Sequence, residues 1–251
     1  FLMCIGGSAT NDAGMGMLEA LGVKFYDAEG KVLAGRGENL ERVEDISMAD
    51  VCEGLLESSF VVACDVDAPL YGLRGAAYVF APQKGADEDM VIRLDNGLKH
   101  FSLSVSRVLG KDVSMLPGAG AAGGMGGGFV AFLPARLERG IEMVLEAIGF
   151  DNIIEGASLV ITGEGKVDTQ TLTGKTPYGV MSHARRQNIP TIVVGGAVAL
   201  DEKVALESGF KGVYAVTPEG MPLSEAMTRE VAINNVRNKV KEIIKQSISN
   251  E

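Results

Sequence analysis

Between Ser158 and Val216 the chain alternates short apolar runs with helix-forming segments, and this rhythm limits its possible folds more than any other feature. Residues 158–162, 190–194 and 213–216 are rich in Val, Leu and Ile and read as strands, while residues 177–187 and 201–208 read as helices. A strand that is followed by a helix returns beside its predecessor in the parallel sense, because a tight hairpin is not available to it. The pattern therefore predicts an α/β protein with a parallel, Rossmann-like sheet and helices on its faces. Residues 225–247 close the chain as a long amphipathic helix. We place a domain boundary near Ser158, giving an α/β domain over residues 1–157 and a Rossmann-like one over 158–251.

The first half follows the same grammar less regularly. Residues 1–5 read as the end of a buried strand that breaks into Gly6-Gly7-Ser8-Ala9-Thr10-Asn11-Asp12, where Asn11 or Asp12 can cap a helix with Met15, Leu18 and Leu21 on its apolar face. Residues 60–67 form a continuous apolar run that ends in Asp65 and Asp67; burial on both faces is expected for it, as in a parallel sheet. Residues 87–109 carry helical spacing behind an acidic first turn. Residues 118–128 are the most glycine-dense stretch, and at least half of those glycines are expected to serve close packing.

Charge and cysteine content exclude several function classes. A formal net charge of −10, with no basic block longer than Arg185-Arg186, repels nucleic acid and anionic membranes. No run reaches the roughly 20 apolar residues of a membrane helix. Cys4, Cys52 and Cys64 have no metal-binding spacing; Cys4 and Cys64 lie in apolar runs and are expected as small buried hydrophobes in a reducing, cytoplasmic setting. The chain opens on Phe1, inside an apolar run, so a preceding segment is expected.

Four segments could carry chemistry, and ligands of open α/β sheets collect where strands break into loops. In the first, Gly6 and Gly7 allow close backbone approach to an anion, and Ser8, Thr10 and Asn11 offer polar groups. In the second, strand alternation would set Asp65 and Asp67 on one face, about 6.5–7 Å apart, suited to one proton acceptor and one metal ligand. In the third, Pro82-Gln83-Lys84-Gly85-Ala86, Lys84 could meet a phosphate or carboxylate. In the fourth, a loop after a strand, Gly163 and Gly165 bracket Glu164, with Lys166 and Asp168 close behind. Neither Gly174-Lys175-Thr176 nor the glycine run from Gly118 sits in the context of a P-loop or dinucleotide fingerprint, which disfavours a dehydrogenase.

Taken together and in order, Ile5-Gly-Gly-Ser-Ala-Thr-Asn-Asp12, Ala63-Cys-Asp-Val-Asp67, Pro82-Gln-Lys-Gly-Ala86, Pro117-Gly-Ala-Gly-Ala-Ala-Gly-Gly124 and Ile161-Thr-Gly-Glu-Gly165 resemble the type-1 glycerate kinase family of bacteria over essentially the whole chain. Asp168-Thr169-Gln170 and Gly174-Lys175 also fit, whereas Ala68 stands where Asn is usual and Lys166 where Arg is common. The resemblance implies ATP- and Mg²⁺-dependent phosphorylation of D-glycerate to 2-phosphoglycerate and a further stretch of chain ahead of the Gly-Gly-Ser motif. It also implies two α/β domains, with residues 1–157 as an inserted substrate-side domain and residues 158–251 as the C-terminal part of a Rossmann-like domain assembled from both chain ends. On this basis glycerate and the ATP phosphates are expected in a cleft between the domains. Asp65 or Asp67 would accept the hydroxyl proton, and the other would hold Mg²⁺. Lys84 and the glycine-loop amides of Gly6, Gly7, Ser8, Thr10 and Asn11 would steady the moving phosphoryl group. Gly163, Glu164 and Gly165 would bind substrate or phosphate, and Asp168 is a second candidate metal ligand. Partners are then small molecules, with a homodimer as one admissible assembly. A kinase for another small hydroxy acid and a non-catalytic sugar-acid-binding protein remain as alternatives.

Overall fold

The computed structural model describes residues 1–249. In chain order the elements are β1 (Leu2–Cys4), α1 (Met15–Ala20), β2 (Lys24–Tyr26), β3 (Val32–Leu33), β4 (Asp45–Ser47), β5 (Phe60–Ala63), α2 (Ala76–Phe80), α3 (Glu88–Leu109), α4 (Ala121–Phe132), β6 (Ala135–Glu138), α5 (Gly140–Ala147), α6 (Phe150–Ile153), β7 (Val160–Val167), α7 (Thr176–Arg186), β8 (Thr191–Val198), α8 (Glu202–Ser208), β9 (Gly212–Ala215), α9 (Leu223–Ala226) and α10 (Arg229–Ser249). They fall into two compact units that part at Gly140–Ile141 rather than at Ser158. Helices α5 and α6 group with the second unit because α7 holds them: a Cβ on Gly179 would meet the Ile141 side chain at 2.7 Å, and His183 bonds to both Glu142 and Asp151.

The first unit is built on a parallel sheet of order β1-β5-β6. Its central strand β5 is buried along Phe60, Val61 and Val62, as its unbroken apolar run requires. Strand β1 lies at the sheet edge, and Phe1 and Leu2 are largely exposed, which corrects the expectation of a buried strand there. A small antiparallel sheet, β3-β2-β4, sits in the same unit. Helix α3 begins where Asp87 accepts a hydrogen bond from the Met90 amide at 2.8 Å, and it buries Leu98, Phe101 and Val105. Phe101 joins Phe25 and Phe132 in an aromatic cluster with ring centroids 5.9, 6.0 and 6.2 Å apart. Each such buried ring contributes about 1.5–3 kcal/mol of transfer free energy. The cysteines depart from expectation: Cys4 and Cys52 are exposed and Cys64 is half-buried, because the two apolar runs end at the sheet edge and at the sheet's carboxyl end.

The second unit carries the predicted alternation as a parallel sheet of order β7-β8-β9. Asp201 caps α8 by accepting from the Val204 amide at 3.2 Å. Val167, Met181, Val193, Leu200, Ala205 and Phe210 close one core beside the sheet. The mixed α/β class with parallel sheets is thus borne out in both units. No helix among the described residues is long and apolar enough to cross a membrane.

Candidate functional site

In the first unit the carboxyl ends of β1, β5 and β6 lie side by side, since the three strands are parallel neighbours. The segment after β1 turns at Gly7, whose φ of 71° is left-handed. Nothing lies within 4 Å of where a Cβ would stand on Gly6 or Gly7, so the backbone there faces open space. Asp12, which is buried, anchors the far end of the segment: its carboxylate accepts from the amides of Gly14 at 2.9 Å and Gly16 at 3.1 Å. Both polar atoms of the Asn11 side chain are shielded from solvent without a protein partner. Leaving a buried polar group unpaired costs about 1–3 kcal/mol, and among the described residues only Asn11 and Thr191 bear such a cost.

The glycine-dense segment runs against this loop. The Gly123 carbonyl accepts from the Ala13 amide at 3.0 Å. A Cβ on Gly123 would stand 2.0 Å from the Thr10 carbonyl oxygen, and one on Gly128 would stand 2.3 Å from that of Ala13. Ala122, Gly123 and Gly124 all adopt left-handed backbone inside α4. The packing role expected for these glycines is therefore the one they play, and it fixes the back of the Gly-Gly-Ser loop.

Lys84 ends a 3-10 turn, Pro82–Lys84, that stops at left-handed Gly85. Its ammonium donates to Ser8 Oγ at 2.9 Å and to the Thr10 carbonyl at 2.6 Å. Burial pushes the Lys84 pKa down, and the nearby Asp12 charge acts against that shift. Two segments that are far apart in sequence thus meet at one ammonium group.

Asp65 and Asp67 sit differently from expectation. Strand β5 ends at Ala63, so both carboxylates lie in an exposed irregular segment beyond it, and strand alternation does not order them. The Asp65 carboxylate accepts from the Gly140 amide at 2.8 Å. Asp67 lies 3.7 Å from the Arg139 guanidinium and is 74% exposed. Their polar partners therefore come from the end of β6, not from Lys84. Between them and the sheet, Cys64 Sγ lies 3.3 Å from the Val66 carbonyl oxygen, and burial raises the thiol's pKa.

In the second unit the fourth segment is strand, not loop. Strand β7 continues through Val167 because it pairs with β8 along its length, Gly163 opposite Val194 and Glu164 opposite Gly195. A Cβ on Gly163 would stand 2.6 Å from the Val194 carbonyl oxygen, whereas one on Gly165 would meet nothing within 4 Å. Asp168 caps the 3-10 turn Thr169–Thr173, accepting from the Gln170 amide at 2.9 Å, and lies 3.4 Å from Lys166. The Gln170 amide bond, with Lys166 and Lys175 adding to it, lowers the Asp168 pKa. The buried Thr171 hydroxyl donates to the Glu164 carboxylate and accepts from the Asp168 amide at 3.0 Å.

The sequence profile of the glycerate kinase family matches residues 1–247. The chain belongs to the glycerate kinase family. It is 45% identical over 242 residues to a glycerate kinase of Bacillus cereus, covering 96% of this chain and 63% of that protein. It is 43% identical over 222 residues to the glycerate 2-kinase of Escherichia coli K12, covering 88% of this chain and 58% of that one. A crystal structure described as glycerate kinase 2 from Salmonella typhimurium LT2 superposes with a TM-score of 0.76 at 39% identity, covering 99% of this chain and 64% of the other. The chain therefore spans about three-fifths of the length of the glycerate kinases it matches.

Within this glycerate kinase family chain, three side chains escaped the sequence reading. Arg139 faces Asp67 only because β6 pairs with β5, and β6 carries no apolar run that would announce a strand. Thr171 gave no signal beyond its place three residues after Asp168. His183 is buried on α7, 2.7 Å from Asp151 and 2.9 Å from Glu142; helical periodicity could have placed it inward but not named its partners. Among the described residues no group of three or more His, Cys, Asp or Glu is arranged to hold a metal ion by itself.

Proposed function

We propose that the protein transfers the γ-phosphoryl group of ATP to the 2-hydroxyl of D-glycerate, giving 2-phosphoglycerate and ADP. The observation that carries this reading is Lys84: in a chain of the glycerate kinase family, its ammonium is seated on the open Gly6–Gly7 loop through Ser8 and Thr10. A fixed cation beside open backbone is suited to stabilise charge on a transferring phosphoryl group. Asp65, held by the Gly140 amide, accepts the hydroxyl proton as the new O–P bond forms and the bond to the leaving ADP oxygen breaks. Asp67 fits a hard, oxygen-seeking Mg²⁺ better than Asp168 does: it is largely exposed and only loosely engaged at 3.7 Å, whereas Asp168 caps a turn. When bound there, Mg²⁺ supplies charge neutralisation for the phosphates. Asn11 and the loop amides complete the substrate-side role assigned to the first unit. Glu164, between Gly163 and Gly165, would meet a polar substrate group in the second.

Phosphorus NMR of the full-length protein incubated with D-glycerate and MgATP tests the reading. The expected result is ADP together with the resonance of 2-phosphoglycerate. Turnover of another small hydroxy acid in preference to glycerate would reassign the substrate, and ATP left intact with every such acid would refute phosphoryl transfer.

A further inference from the structure

Glu164, in the middle of β7, faces a glycine rather than a side chain on the neighbouring strand. Its neighbours along β7 are Gly163 and Gly165, and its register partner on β8 is Gly195, followed by Gly196. Above Gly165 there is open space to at least 4 Å. A half-exposed carboxylate that faces a glycine across the strand pair would ordinarily sample several rotamers. Here one oxygen, Oε1, takes a hydrogen bond from the Thr171 hydroxyl. Thr171 is itself fully buried, and its hydroxyl is oriented because it accepts from the Asp168 amide. Asp168 in turn caps the same turn through the Gln170 amide. The turn that follows β7 thus reaches back, from Thr171 to a residue seven positions earlier, to grip a side chain in the middle of the strand.

We infer that Thr171 is a positioning residue. It holds the Glu164 carboxylate in one orientation opposite Gly195, so that the second oxygen accepts a hydrogen bond from a hydroxyl group of a bound substrate. The inference rests on the proposed phosphotransferase reading, which supplies two hydroxyl-bearing ligands: the ribose of the nucleotide and the hydroxy acid. The physical argument is preorganisation. A carboxylate already fixed by a buried donor loses little rotamer freedom when a ligand arrives, so its bond to the ligand counts nearly in full. Gly195, opposite Glu164 on β8, puts no side chain between the carboxylate and an approaching ligand hydroxyl.

The test is a kinetic double-mutant cycle in the full-length protein, with KM measured separately for ATP and for glycerate. Thr171→Val keeps the buried shape and removes the hydroxyl; Thr171→Ser restores it. Thr171→Val should raise one of the two KM values about tenfold, the loss expected when one hydrogen bond to a charged group is misplaced, with a smaller change in kcat. The KM that moves identifies whether the hydroxyl belongs to the nucleotide or to the acid. Thr171→Ser should recover most of the loss. Glu164→Gln should raise the same KM, and adding Thr171→Val to it should cost no more than about twofold further, because Thr171 acts through Glu164. Independent, multiplying losses in the double variant would overturn the inference, as would a Thr171→Val protein that melts lower but keeps both KM values. If the wild-type protein shows no phosphoryl transfer, the functional reading fails and this inference with it; the wild-type control thereby separates the two failures.

Discussion

Replacing Lys84 by Met removes the ammonium that joins two of the candidate loops while keeping much of the side chain's apolar length. The ammonium makes two bonds, to Ser8 Oγ at 2.9 Å and to the Thr10 carbonyl at 2.6 Å. Hydrogen bonds from charged donors contribute about 1.5–3 kcal/mol each where the partner is left unpaired. Two factors reduce the sum. The site is only half-buried, so water can replace the lost donor, and Lys84 already bears a desolvation cost, visible as its lowered pKa, that Met does not. The net destabilisation should be about 1–3 kcal/mol, and for a chain of this size each kcal/mol lowers Tm by about 2–4 °C. The effect should be local as well as global. Amide exchange over residues 6–12 should accelerate, while Ala13, which bonds to the Gly123 carbonyl at 3.0 Å, should stay protected. Phosphoryl transfer should fall by at least about 100-fold, the scale of losing one fixed charge-stabilising group. Melting curves, hydrogen exchange read by mass spectrometry and a coupled ADP-release assay measure the three effects. Unchanged exchange over residues 6–12 together with turnover within twofold of wild type would refute both the strut and the charge-stabilising role.

Asp65→Asn and Asp67→Asn should each reduce turnover by at least about 100-fold while shifting stability by no more than about 1 kcal/mol, since Asp67 is mostly exposed and pairs loosely; full turnover in either folded variant would remove it from the mechanism. Gly123→Ala should destabilise by about 3 kcal/mol or more, because φ is 71° and the new Cβ would stand 2.0 Å from the Thr10 oxygen; a melting temperature within a degree of wild type would contradict that geometry. His183→Leu should cost about 1–3 kcal/mol by leaving the Asp151 and Glu142 carboxylates without their shared partner, read as earlier melting with α5 and α6 losing exchange protection first. Asp27 has its pKa lowered, first by the Lys31 amide, with the Glu29 amide and Arg42 adding to it. A carboxylate with a depressed folded pKa gives stability that is fully present above its unfolded value, about 3.9, and lost as pH falls through the folded one. Asp27→Asn should therefore flatten the acid limb of the stability profile below about pH 4 and leave its slope near neutrality unchanged; an acid limb of wild-type steepness would disprove it.

What the sequence made legible, and what it did not, follows from the range of the interactions involved. Local rules placed α3 with its acidic first turn, the buried run of β5 and the parallel alternation from β7 to β9, because each rests on periodicity or on interactions a few residues apart. The strand through Gly163, Glu164 and Gly165 could not be read so: glycine disfavours strand locally, and only pairing with β8 overrides that preference. Strand β6 was missed for the complementary reason, since Ala-Arg-Leu-Glu lacks an apolar run and takes its form from β5. The site divides along the same line. Ser8, Thr10 and Lys84 could each be named from loop chemistry, but their meeting depends on a contact across more than seventy residues.

The same reasoning separates two kinds of acidic residue that look alike in the sequence. Asp12 and Asp168 each follow a glycine-containing segment and precede a helical turn; Asp12 gives both carboxylate oxygens to backbone amides of its turn, and Asp168 gives one, its other oxygen lying 3.4 Å from Lys166. Asp65 also accepts a backbone amide, but that of Gly140, the first residue of α5 just past the neighbouring parallel strand β6, while Asp67 keeps most of its carboxylate in solvent beside Arg139. A carboxylate that caps its own turn gives up much of its capacity to take a proton or a cation, whereas one at the carboxyl end of a parallel sheet is positioned without being saturated. On the proposed phosphotransferase reading, that distinction would give the chemistry to Asp65 and Asp67 and leave Asp168 to the turn that holds Thr171 and, through it, Glu164.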